Sequence, residues 1–165
     1  MISDLHFNPT LPYAEDAVFV MQVLSKALTY YFSANADYHY NVRAGSAAYR
    51  WQPKLVECYR CNFRETRHFL ESLELTPTEM DEIMSQKYVD GYASLVYNLC
   101  LPSCTLSLKE KYRILQSARK EFRIDYYKRF YILKEGGLFA KAKTFLVFRH
   151  LEIFLILFGT IYCKR

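Results

Sequence analysis

The sequence predicts a mainly helical chain with a small α/β element near its start. Three observations carry that prediction. Apolar residues recur at helical spacing through most of the 165 residues, two capping signatures punctuate them, and β-like aromatic runs are confined to residues 29–42. With 52% apolar and 17% aromatic residues against only five Gly and five Pro, the chain has ample material for a core, which excludes intrinsic disorder and collagen-like sequence.

Loop punctuation in Asn8-Pro9-Thr10 and at Pro12 precedes the first periodic run. From Asp16 onward Val20, Val23, Leu24, Ala27 and Leu28 share a helical stripe, and Glu15 and Asp16 stand at its entrance, where the macrodipole favours negative charge. A helix of about three turns is expected there. Two short strands follow, Thr29 to Phe32 and Tyr38 to Val42, separated by the turn-forming Ser33-Ala34-Asn35-Ala36. Residues from about 53 to 73 return to helical spacing, and Thr76-Pro77-Thr78-Glu79 opens a helix running to about Cys100, where Leu101-Pro102 stops it. Ser107-Leu108-Lys109-Glu110 opens another to about Lys120, a further helix covers Ile124 to Leu133, and Gly136-Gly137 ends it. One last helix is expected from Leu138 towards Cys163.

The run Leu11-Pro12-Tyr13-Ala14-Glu15-Asp16-Ala17-Val18-Phe19, with the later Tyr38-His39-Tyr40-Asn41-Val42-Arg43-Ala44-Gly45-Ser46, resembles the second half of a bacterial family 2 glycosyltransferase catalytic domain. In that family a Glu-Asp pair opens a helix, usually with Phe three residues on, and an aromatic strand ends some way later in an Arg-x-Gly-Ser-like turn. Both pieces are present in order. Ala14 stands where Gly is frequent, and Asn41 and Ala44 replace the Arg and Glu often seen around the turn. The family's nucleotide-binding half, a run of βα units ending in a metal-binding Asp-x-Asp, has no counterpart here, for no Asp-x-Asp occurs in the sequence. The resemblance therefore implies a C-terminal part of such an enzyme. Residues 1–50 would be the acceptor-side remnant of its GT-A fold, one helix and a two-stranded β element, and residues 51–165 a helical C-terminal extension.

The resemblance implies a parent enzyme that moves a sugar, with inversion, from a nucleotide-diphosphate donor to a cell-surface glycan. Asp16 would be the catalytic base and Glu15 its neighbour at the acceptor or at metal-bound water. Arg43, with His39 and Ser46 nearby, would contact the donor phosphates or the acceptor. A divalent cation, Mg or Mn, is implied for the full-length parent and none for this part, which is expected to be inactive alone. Without the resemblance, the Glu-Asp pair reads rather as an acidic helix start and His39 as a partly buried histidine bonded to backbone, while Arg43 reads equally as a solvated turn residue.

Charge divides the chain unevenly. Residues 1–104 hold 8 Lys and Arg against 12 Asp and Glu, whereas residues 105–165 hold 14 against 5. In the last third, Lys109, Lys111, Arg113, Arg119, Lys120, Arg123, Lys128 and Arg129 precede an apolar run interrupted by Lys141, Lys143, Arg149 and His150. That pattern suits an anionic membrane surface, or alternatively a core-packing or oligomer-forming helix. Its aromatic residues fall at helical spacing and not on a stacking sheet, so nucleic acid is not expected as a partner. The most apolar stretch, Ile153 to Cys163, is shorter than the roughly 20 residues that cross a bilayer. Five cysteines without a secretory leader point to a reducing compartment, and the expected location is cytoplasmic, peripheral at the inner face of the cytoplasmic membrane. Cys58 and Cys61, with Cys100 and Cys104, resemble two zinc pairs, but the first pair sits at i, i+3 on a helical stripe and the second straddles Pro102, which favours small buried apolar residues over metal ligands. A non-enzymatic helical protein that sits on a membrane or binds a partner is the competing class.

Overall fold

The computed structural model describes residues 5–29, 31, 33–35, 50–132 and 138–162. About two thirds of the described residues are helical, and no strand is formed among them. Seven helices follow in order: α1 Glu15–Lys26, α2 Leu55–Glu71, α3 Pro77–Cys100, α4 Leu108–Glu121, α5 Ile124–Tyr127, α6 Leu138–Phe148 and α7 Glu152–Tyr162. The expected strand from Thr29 is not formed where the chain is described. Tyr31 is 93% exposed, so its ring has no face to pack on. The second run, Tyr38 to Val42, lies outside the described residues.

α3 is the centre, and α2, α4, α5, α6 and α7 all pack against it. The sequence starts it sharply. Thr76 Oγ1 accepts the Glu79 N–H at 3.3 Å, while Glu79 Oε2 accepts the Thr76 N–H at 2.8 Å and its hydroxyl at 2.7 Å. Ser107 and Glu110 close the same box at the start of α4. In each case the hydroxyl and backbone N–H bonds hold the carboxyl below its ordinary value. Four orphan N–H groups at each helix start make such side chains effective stops.

Aromatic rings fill the space between α2, α3, α4 and α5. Phe63 stacks on Tyr59 at 5.6 Å between centroids, meets Phe122 edge-on at 5.0 Å and lies 4.5 Å from Tyr88. Gly91 admits this ring, because a Cβ there would stand 2.7 Å from the Phe63 ring. Asn98 ties the approach to α2 onto the end of α3, its amide accepting the Gln52 N–H at 2.8 Å and donating to the Gln52 carbonyl at 3.1 Å.

Two expectations for the last third are corrected. The helix from Ile124 ends at Tyr127, short of Leu133, since the chain turns to reach α3: Gln86 donates to the Ile132 carbonyl and the Tyr131 hydroxyl to Asp90, each at 3.0 Å. The single helix from Leu138 is two helices. His150 adopts the left-handed conformation (φ 60°), the Leu151 N–H bonds the Leu146 carbonyl and the His150 N–H that of Val147. This Schellman arrangement closes α6 and lets α7 leave in a new direction without glycine or proline. Gly159 then brings α7 down on α3, where a Cβ would be 2.6 Å from Cys100 Sγ.

Candidate functional site

α1 begins at Glu15, so the Glu-Asp pair occupies its first turn. Ala14, just before it, is left-handed (φ 61°), and no side chain caps the helix. Asp16 is exposed, and its Oδ1 accepts the N–H of the next residue, Ala17, at 2.7 Å. Glu15 is half-buried. Three contacts fix this end of α1 to its surroundings. Val18 is buried, Tyr13 meets Tyr59 of α2 edge-on at 6.5 Å, and Phe7 stacks on Phe19 at 4.3 Å. Burial pushes the Cys58 thiol of α2 up, opposed by a hydrogen bond from the Tyr13 backbone. A carboxylate on such a turn is held in direction and open to solvent, an arrangement in which it can accept a proton from an approaching hydroxyl.

Of the sequence-derived site residues, Glu15 and Asp16 come together through adjacency alone. His39, Arg43 and Ser46 lie outside the described residues. Among the described residues no three His, Cys, Asp or Glu side chains are grouped to hold a metal ion. Cys58, Cys100 and Cys104 are buried in the core. No described helix is long and apolar enough to cross a membrane.

A second polar cluster escaped sequence reading altogether. Arg119, read as part of a basic surface, is 3% exposed, and Glu152 is fully buried. Arg119 Nη1 donates to Glu152 Oε1 at 2.5 Å, and its two terminal nitrogens reach the Val147 carbonyl at 2.9 and 2.7 Å. The Tyr92 hydroxyl donates to the same Glu152 oxygen at 3.0 Å, and burial beside that carboxylate pushes the phenol far up. One side chain from α4 thus ends α6, pairs with the first residue of α7 and approaches α3. Among the described residues, Arg119 Nε and Glu152 Oε2 have no hydrogen-bond partner. The signal was available, since Glu152 is the only acid between Leu138 and Arg165. An isolated acid in an apolar helix calls for a buried cation. Lys111 is also buried and not part of the basic surface.

Comparison with known protein families, with characterised proteins and with solved structures finds no match to this chain.

Proposed function

We propose that this chain carries the acceptor side of a family 2 glycosyltransferase site, with Asp16 as the general base. The supporting observation is that α1 starts at Glu15, which puts the Glu-Asp pair of the resembling motif on a first turn with Asp16 exposed. In the proposed step the acceptor hydroxyl gives its proton to Asp16 while its oxygen bonds to the anomeric carbon. The bond from that carbon to the donor phosphate breaks, and the nucleoside diphosphate leaves. Glu15 lies beside the acceptor. Arg43 offsets charge on the departing phosphates, with His39 and Ser46 as neighbours.

Two measurements test this reading. Genomic sequence on the 5′ side of the Met1 codon is expected to encode strand–helix units ending in Asp-x-Asp; an unrelated gene there overturns the proposal. In the enzyme joined from both parts, Asp16→Asn is expected to lower kcat by about a thousandfold with little change in KM. The isolated chain is expected to transfer no sugar, and turnover of a nucleotide sugar by it would contradict the division of labour proposed.

A second reading has its own support. Phe145, Phe154 and Leu157 of α6 and α7 are 44–56% exposed, and Lys141 and Arg149 stand at helical spacing from Phe145. Apolar and basic side chains mixed on exposed helices suit a protein peripheral to an anionic membrane, at the inner face of the cytoplasmic membrane.

A further inference from the structure

The corner between α4 and α5 gathers cations around one aromatic ring. Arg123, left-handed at φ 51°, places its guanidinium carbon 4.4 Å from the Tyr126 ring centroid. Arg129 reaches the same ring at 4.2 Å and Phe130 at 4.8 Å. The ring is itself fixed, because the Tyr126 hydroxyl bonds Asp81 of α3. Two like charges on one ring repel, so a neutralising partner is wanted. The nearby carboxylates among the described residues are already engaged. Glu121 takes a two-pronged pair from Arg60, at 2.6 and 3.0 Å, and Asp125 faces Arg119, Lys128 and His150 at 3.3, 3.4 and 3.0 Å. Asp81 is taken at the hydroxyl end of the ring. Among the described residues, neither Arg123 nor Arg129 has a carboxylate partner.

Stacking uses the flat face of a guanidinium and leaves the N–H donors around its edge available. Two guanidinium groups anchored on one ring offer the kind of N–H donors that phosphate oxygens accept. We propose that Arg123 and Arg129 form a surface site for a phosphate-bearing ligand, the chemistry that a phospholipid headgroup and a free diphosphate share. Exposed Lys120 and Lys128 supply attraction around it. The site uses none of the residues of the sugar-transfer reading and stands or falls separately from it.

The test uses the full chain and two probes: sedimentation with vesicles of equal parts phosphatidylcholine and phosphatidylglycerol, and calorimetric titration with inorganic pyrophosphate. Binding of either probe is expected, weakened about tenfold in Arg123→Gln/Arg129→Gln. Arg123→Lys/Arg129→Lys keeps the charge without the fork and is expected to bind several-fold more weakly than wild type. Arg129→Gln alone leaves the left-handed position untouched and is expected to show part of the loss. Binding to vesicles without pyrophosphate assigns the ligand as a headgroup; the converse assigns a free phosphate. The proposal is overturned if neither probe binds, if the lysine pair binds as wild type, or if exposed Lys109→Gln/Arg113→Gln weakens binding as much.

Discussion

α1 and α7 both open on acidic residues, and the two openings do opposite things. Asp16 faces solvent and, among the described residues, bonds only the N–H of its own turn, whereas Glu152 is fully buried and joined to side chains from α3 and α4. An acid in the first turn satisfies the helix dipole in either place. What separates them is whether another helix delivers a cation: Arg119 arrives at Glu152, and among the described residues none arrives at Asp16. The first carboxylate stays in solvent, and the second is part of the architecture.

The largest effect that would sharpen this contrast comes from Arg119→Met, which leaves Glu152 buried without its cation. Stability in urea is expected to fall by about 3–5 kcal/mol. Adding Glu152→Leu should recover much of that loss, because removing both charges is far less costly than removing one. A loss as large in the double variant would break the argument. Thr76→Ala is intermediate, costing about 1 kcal/mol in the same titration. Its effect depends on pH: Glu79 is held below its ordinary value of 4.5 by Thr76, so the box contributes fully above that value and is lost as pH falls through the lower, folded one. The difference between wild type and Thr76→Ala should therefore shrink in acid. Smallest is Asp16→Asn, expected within about 0.5 kcal/mol of wild type; a large loss would show that Asp16 is architectural after all.

Legibility followed the range of the interactions. α3 and α4 start where the sequence predicts, because Thr76 with Glu79 and Ser107 with Glu110 are partners three residues apart. The break between α6 and α7 was not legible, since the residue taking the left-handed turn is His150 and the group holding the end of α6 is Arg119, 28 residues from Val147. Spacing alone cannot distinguish a buried arginine from its exposed neighbours, and Arg119 was therefore read with Lys120 and Arg123. In the candidate site, the placement of Glu15 and Asp16 on the first turn of α1 was readable from local sequence. His39, Arg43 and Ser46 lie outside the described residues.

The tight seat of Gly159 on Cys100 carries a practical corollary. With Cys100 only 3% exposed and α7 lying directly over its sulfur, an alkylating reagent cannot reach that thiol until the terminal helix lifts away. Mass-resolved labelling of this cysteine would consequently clock how often the cover opens, giving the molecule a built-in timer for its own breathing.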